Sequence, residues 1–300
     1  MPNAATALDN AFQMAFQMPA HPGDRQTLAA AARQEVTGLA EALESAGVTV
    51  HLFEDYDATR PDSVFPNNWL STHAGGRIGT FPMYAPNRRH ERRSDILDFL
   101  KAHYRVQDVV DYSGLEMDNV FLEGTGAMVL DHSSRVAYAA RSRRADPVAL
   151  ERFCTNFGYE PMLFDALDAD GTAVYHTNVM MSVATDFAMV GLDLIPSAER
   201  RREVMQRLSG GGRTVIELNS HQISNFAGNA IELQGTEGRV LALSRRALGT
   251  LTAEQKAIIE RSCTLLPVDV PTIELAGGSV RCMIAGIHLD RRPVPAGAGG

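Results

Sequence analysis

The chain has 300 residues, 45% of them hydrophobic and 21% charged, with a formal net charge of -8. This is a globular rather than a disordered composition, and its basic residues, densest at Arg88, Arg89, Arg92, Arg93 and Arg200 to Arg202, give little of the broad basic footprint that nucleic-acid binding needs. No stretch of 18 apolar residues predicts a membrane span and the first residues carry no signal-peptide pattern, so the expectation is a cytoplasmic protein that uses neither nucleic acid nor a membrane as partner.

The first predicted helix covers residues 26–47, with apolar residues at helical spacing and Gly47 as a C-cap. A strand-like run follows over 48–54 (VTVHLFE), then another over 76–83 (GRIGTFPM) and a helix near 90–104. The arginines on that helix and before Val204 read as solvated faces. Strands AMVLD (127–131) and RVAYAA (135–140) precede a helix near 145–158, opened by Asp146 as N-cap and Pro147 at the first helical position. DFAMVGL (186–192) leads to a helix near 197–209 capped by Ser197. Then come TVIEL (214–218), NAIEL (229–233) and RVLALS (239–244). The last helix, near 253–262, carries the capping-box pair Thr252 and Gln255. Successive helices start roughly 50–65 residues apart, and five strand–strand–helix–strand units of that size fill the chain. The expectation is a single α/β domain over residues 1–290 with a radial, propeller-like arrangement, followed by a flexible tail at 291–300.

Three cysteines, Cys154, Cys263 and Cys282, are widely spaced without a CxxC pair, and no HxxxH pair occurs, so neither a disulfide framework nor a structural zinc site is indicated. Cys154 and Cys263 fall in predicted helices and read as small buried hydrophobes. Cys282 differs: Gly277 and Gly278 allow close backbone approach, and Arg281 supplies a neighbouring cation that favours a thiolate. His176, between Tyr175 and Thr177, is the residue type that titrates near neutrality and serves a cysteine nucleophile. Glu123 enters a Gly turn (EGTG) from an apolar run, where a carboxylate is costly unless paired or used. Gly124 and Gly126 are no phosphate loop, since neither GxGxxG nor GxxxxGK spacing is present.

EGTG at mid-chain, a histidine some fifty residues later and a cysteine in GGSVRCM near the end together resemble the guanidine-modifying superfamily of arginine deiminases, dimethylargininases and amidinotransferases. The resemblance covers nearly the whole chain. It implies a five-bladed α/β propeller (pentein) of ββαβ units with pseudo-fivefold symmetry, in agreement with the repeat period. It implies Cys282 as nucleophile, His176 as general acid/base and Glu123 as the acid holding the reacting nitrogens. The AARSRR segment resembles a strand-end motif in which Arg141 grips a substrate α-carboxylate. Phe65, Asn67 and Asn68 of FPNNW, with Asn178 and Arg281, complete the expected substrate contacts. The chemistry so implied needs no metal or organic cofactor, and the partner is a small amino-acid substrate. The oligomeric state is open, a homo-oligomer included.

Arginine-processing relatives carry an acid in the segment matching FPNNW and another two residues after the histidine, where this chain has Asn68 and Asn178. With FPNNW, EGTG and FAGN, these replacements resemble the citrulline-utilising branch, which implies hydrolysis of citrulline to ornithine, ammonia and carbon dioxide. The rival within the class is an arginine or methylarginine deiminase or an amidinotransferase, in which Asp118 or another acid fills the pocket. The rival outside it is a binding protein on the same fold, for which the ribosome-associated initiation factor is a precedent. Relatives also begin with an apolar strand ending in Arg-Pro before the segment matching ATALDNAFQ (5–13), so the first blade is expected to lack or borrow a strand.

Overall fold

The computed structural model describes residues 25–55, 57, 60 and 62–293. The segment 5–13 and the tail beyond residue 293 lie outside them. Helix α1 (Arg25–Ser45) opens the described chain, as its apolar spacing predicts, and Gly47 follows it at φ +78°.

Four three-stranded sheets follow, all wired alike. The first holds β1 (Leu70–His73), β2 (Arg77–Thr80) and β3 (Asp108–Asp111). The second holds β4 (Met128–Asp131), β5 (Val136–Ala140) and β6 (Glu160–Phe164). The third holds β7 (Met181–Val183), β8 (Phe187–Val190) and β9 (Thr214–Glu217). The fourth holds β10 (Ile231–Gln234), β11 (Arg239–Ser244) and β12 (Thr264–Val268). In each, the first two strands form an antiparallel hairpin and the third runs parallel to the second. A parallel return needs a crossover, and a helix supplies it. The crossover helices are α2 (Ser94–His103) in the first sheet, α4 (Pro147–Phe157) in the second and α5 (Ala198–Ser209) in the third. In the fourth sheet it is the pair α7 (Arg245–Thr250) and α8 (Ala253–Ile259). Short helices α3 (Gly124–Ala127), α6 (Ser220–Ser224) and α9 (Pro271–Glu274) lie between sheets.

Local chemistry accounts for these boundaries. Asp146 accepts from Val148 N, Ser197 from Arg200 N, and Thr252 and Gln255 form the reciprocal capping box. Between β4 and β5 the Asp131 carboxylate accepts from the backbone N–H groups of Ser133 and Ser134, which shapes the hairpin turn. The central strand β5 is buried along its length, and its run Val-Ala-Tyr-Ala-Ala suits a strand covered on both faces. Strand β4 packs beside β7, and β7 beside β10, so the first strands of successive hairpins are neighbours.

Among the described residues there is no fifth sheet. The predicted strand 48–54 pairs with no strand among the described residues. Its His51 Nε2 lies 2.7 Å from the Tyr104 hydroxyl, and Phe53 packs edge-on to Phe99. This sector is built from the two ends of the described chain. The Glu35 carboxylate of α1 accepts from Thr272 N and Ile273 N, capping α9 at 2.8 and 2.9 Å. Leu39 and Leu43 join Phe65, Val268, Val270, Ile273, Val280 and Cys282 in one buried cluster. The segment after Cys282 then crosses to the first sheet, where Arg105 N donates to Asp290 O and His288 N to Thr72 Oγ1. No helix among the described residues is long and apolar enough to cross a membrane.

Two local expectations are corrected. Cys263 lies after α8 in the loop leading to β12, because the helix ends at Ile259. Arg88 is no solvated face: it is 2% exposed.

Candidate active site

Cys282 sits in the turn that follows α9, 3% exposed. Gly278 is required there, because a Cβ would lie 2.6 Å from the Phe65 ring. Phe65 therefore acts as a wall against the nucleophile loop. Two side-chain amides point at the sulfur: Asn178 Nδ2 and Asn229 Nδ2, each 3.2 Å from Sγ. Asn229 also donates to the Asn178 carbonyl, while its Oδ1 accepts from Ser279 N at 3.2 Å and Cys282 N at 3.4 Å. One asparagine thus holds the cysteine turn and its neighbour together. It comes from the FAGN loop, where Phe226 takes φ +64° and a Cβ on Gly228 would lie 2.6 Å from Val179 O. Sequence reasoning misses Asn229 as a site residue. The available signal is FAGN itself, a glycine before a buried polar residue.

His176 and Asn178 leave the same short turn, Thr177–Val179 with His176 as its cap. His176 Nε2 lies 2.7 Å from Glu123 Oε2, and both residues are buried. Glu123 also accepts from Tyr84 N at 2.9 Å and from Arg144 at 3.2 Å. Burial by itself would raise the Glu123 pKa, but Arg144, His176 and Arg88 outweigh it and hold the carboxyl below the ordinary carboxylate range. An ionised Glu123 receives the Nε2–H of His176, leaving Nδ1 as the free ring nitrogen. Burial lowers the His176 pKa despite the opposing pull of Glu123, so the imidazole is neutral near pH 7. Gly126 leaves room for this pair, since a Cβ there would lie 2.1 Å from the Asn68 amide and 3.0 Å from His176 Nδ1.

A second buried cluster adjoins the first. The 3₁₀ turn Pro86–Glu91 puts residues three apart on one side, and Arg88 meets the Glu91 carboxylate there with both Nε (3.0 Å) and Nη2 (2.8 Å). Arg88 also lies 3.6 Å from Asp62 and 3.7 Å from Glu123. The Asn68 amide completes this shell: its oxygen accepts from Arg88 at 3.1 Å and its nitrogen donates to Asn67 Oδ1 at 3.2 Å. Burial raises the Glu91 pKa to about 7 even against the pull of Arg88.

Phe65, Asn67, Asn68, Glu123, His176, Asn178 and Cys282 are thus brought together around one buried region. Two polar atoms in it are buried without a hydrogen-bond partner: the donor Asn67 Nδ2 and the acceptor Asn178 Oδ1. Arg281 is half-buried beside Cys282 and spends Nη1 on Ile284 O. Arg141 is not in the buried cluster: its side chain is 52% exposed and pairs with Asp165 at 3.1 Å. The arginine of AARSRR that reaches Glu123 is Arg144. Asp118 is exposed, so the acids that line the region are Asp62, Glu91 and Glu123.

Four sheets of ββαβ wiring around a buried cysteine, histidine and glutamate define the class as the guanidine-modifying superfamily, and comparison with known proteins agrees. A sequence profile of the eukaryotic N,N-dimethylarginine dimethylhydrolases matches residues 1–289, so the chain belongs to that family of hydrolases. No curated protein matches the sequence. Among solved structures, the fold resembles that of ArgZ, an arginine dihydrolase of the ornithine–ammonia cycle in cyanobacteria, with 15% identity over 93% of this chain and a TM-score of 0.70. This chain spans 39% of the ArgZ chain. The N-terminal domain of ArgZ, solved as a cysteine-to-serine mutant bound to substrate, aligns over 87% of this chain and 86% of its own length at 15% identity and TM-score 0.66. A dimethylarginine dimethylaminohydrolase bearing a 4-chloro-2-hydroxymethylpyridine adduct aligns over 94% of this chain and 96% of its own at 15% identity and TM-score 0.63. At such identities the likeness is one of fold.

Proposed function

We propose that this chain is a cysteine hydrolase of the ureido C–N bond of citrulline, yielding ornithine, ammonia and carbon dioxide. The observation that carries this reading is the pair of unpartnered buried atoms, one donor on Asn67 and one acceptor on Asn178. A ureido group presents a carbonyl oxygen and N–H donors, and so satisfies both. A guanidinium has five N–H donors and no acceptor, and would leave Asn67 Nδ2 orphaned at a cost of about 1–3 kcal/mol.

In the proposed reaction the thiol proton of Cys282 passes to the neutral His176 as the sulfur attacks the planar ureido carbon, with Asn178 and Asn229 holding the sulfur. The tetrahedral adduct collapses as His176 delivers a proton to the leaving nitrogen. An S-carbamoyl intermediate remains, and water deprotonated by His176 hydrolyses it. One water is consumed overall, and the carbamate released falls to an amine and carbon dioxide. Glu123 orients His176 throughout. Arg141 is retained as the α-carboxylate contact: its present partner Asp165 is an exposed pair of little worth, so a substrate carboxylate displaces it at low cost. The sector of α1, α9 and the final segment is taken as the fifth blade of the propeller.

The test is a panel of citrulline, arginine and methylated arginines with ornithine, ammonia and citrulline followed together. Citrulline should give the highest kcat/KM. Cys282→Ser should abolish turnover, and Cys154→Ala and Cys263→Ala should stay within about threefold of the parent. Citrulline appearing as a product from arginine would establish a deiminase instead, and equal activity on decarboxylated analogues would remove Arg141 from the site.

A further inference from the structure

The loop between α9 and Cys282 has few side chains of its own to hold it. Gly277 and Gly278 offer none, and Gly277 takes φ +82°. A glycine pair leaves a backbone many conformations unless the chain beyond it is pinned. The first side chain after the pair is Ser279, 0% exposed, and its hydroxyl donates to Glu274 Oε1 at 2.9 Å. Ser279 in turn makes two contacts that set the nucleophile. Its carbonyl accepts from Cys282 N at 2.9 Å. Its N–H donates to the oxygen of Asn229, the amide whose nitrogen faces the sulfur.

Glu274 is the last residue of α9 and is buried. Burial pushes its pKa up, against the pull of Ser244, Ser279 and Arg246. A buried carboxylate is costly unless it is paired. The partners here lie on both loops that meet at the sulfur. Oε1 holds Ser279 of the cysteine turn. Oε2 lies 3.7 Å from Nη1 of Arg246, whose Nε donates to Asn225 Oδ1 at 2.8 Å and whose guanidinium lies 5.5 Å from the Phe226 ring. Asn225 and Phe226 open the loop that ends in Asn229.

We infer that Glu274 is a positioning residue that keeps the Asn229 amide and the Cys282 sulfur in register, acting through Ser279. The inference rests on the reading of Cys282 as nucleophile and not on the choice of citrulline as substrate. Hydrogen bonds to a sulfur favour its thiolate form. Loosening the turn therefore lowers the thiolate fraction at neutral pH and leaves the FPNNW side of the site in place.

The experiment follows iodoacetamide alkylation of Cys282 across pH in the full chain, read by mass spectrometry of its peptide, with melting temperature as the check on folding. Glu274→Leu keeps the bulk and removes both oxygens. It should slow alkylation at pH 7 by about tenfold and recover the parental rate at the alkaline plateau, where the sulfur is ionised in any case. Glu274→Gln keeps an oxygen for the Ser279 hydroxyl and should restore the pH 7 rate to within about threefold of the parent. Ser279→Ala should match Glu274→Leu, and the double variant should be no slower than either, because the two residues act in series. On the substrate that the panel identifies, kcat should fall with the alkylation rate while KM stays within about twofold. A residue that only supports the fold would lower the melting temperature without this pattern. If Glu274→Leu does not fold, Ser279→Ala carries the test. A folded variant alkylated at the parental rate at pH 7, a loss that persists at the alkaline plateau, or additive losses in the double variant overturns the inference and leaves the citrulline reading standing. If arginine proves the better substrate, the citrulline reading falls and the alkylation result still decides this one. If Cys282→Ser retains turnover, Cys282 is not the nucleophile and both fall.

Discussion

Asn229 is placed to govern the reactivity of Cys282. Its amide nitrogen lies 3.2 Å from the sulfur and its oxygen holds the backbone of the same turn. Asn229→Asp keeps the size but sets a negative charge against the thiolate, while the two N–H contacts to the oxygen survive. Alkylation of Cys282 by iodoacetamide at fixed neutral pH should slow by about tenfold, the effect of one nearby like charge. An unchanged rate would show that Asn229 is structural only. His176 gives a second prediction. Its pKa is lowered by burial, and the reaction uses the neutral imidazole as base. As pH falls, activity is therefore lost only on crossing a midpoint below 6.5, and an acid limb of kcat/KM centred above that value would contradict the assignment. At this scale the sequence exposed the residues that sit in unusual local contexts: Cys282 after two glycines, Glu123 before a Gly turn, His176 beside Asn178. It hid Arg88, whose partner Asp62 lies far away in sequence and whose own surroundings, Arg-Arg-His-Glu-Arg-Arg, read as a solvated face.

Helix caps and central strands were legible because the interactions that fix them are local. Asp146, Ser197 and the Thr252–Gln255 pair each act within three residues. Of the outer strands, β4, β9 and β10 were legible too, and β1, β3, β6, β7 and β12 were not. Strand β3 is Asp-Val-Val-Asp with two exposed acids, and β7 is three residues long. β3 exists because the hairpin beside it offers a ladder, and β7 because β8 folds back on it. The same contrast appears in energies. Asp146→Ala removes one cap bond and should cost about 0.5–2 kcal/mol. The pair Arg213–Asp131 joins the start of β9 to the end of β4 in the next sheet, with Arg213 Nη2 2.9 Å from Asp131 and both residues buried. Arg213→Ala strands a buried carboxylate and should cost about 3–5 kcal/mol. Chemical denaturation of the two variants would rank them, and a smaller loss for Arg213→Ala would mean the two sheets are held together by apolar packing alone.

Across the whole molecule, the site depends on parts of the chain far apart in sequence: FPNNW before β1, the Glu123 turn before β4, the His176 turn before β7, FAGN before β10 and the cysteine turn after β12. The repeat period fits that recurrence, because the first four of these contributions sit just ahead of a hairpin. It did not foretell the sector without a sheet, since the partner of a strand lies elsewhere in the chain and leaves no mark in the strand's own residues. The final segment is tied to the first sheet beside a group of histidines. His73 ends β1, 3% exposed, with Nε2 2.8 Å from Ser71 Oγ and its ring 4.3 Å from that of Phe157. The rings of His132 and His288 lie 4.1 Å apart, tilted by 35°, and His132 lies 6.3 Å from His73. Burial first, then these neighbours with Arg135 and Arg77, lowers the His73 pKa to about 3. The unfolded chain therefore takes up a proton near pH 6.5 that the folded chain refuses. The stability involved is fully present above pH 6.5 and is lost as pH falls from there toward 3. The slope is about 1.4 kcal/mol per pH step, or about 2 kcal/mol by pH 5. Burial and the neighbouring His288 lower the His132 pKa to about 3 as well, burial lowers that of His288, and both add losses of the same sign. Denaturant unfolding at pH 8 and pH 5 should show the drop, and His73→Gln should reduce it by about the His73 share even if the variant is less stable at pH 8. A pH dependence identical in parent and variant would place the acid sensitivity elsewhere, in the carboxylates around Arg88 and Arg144.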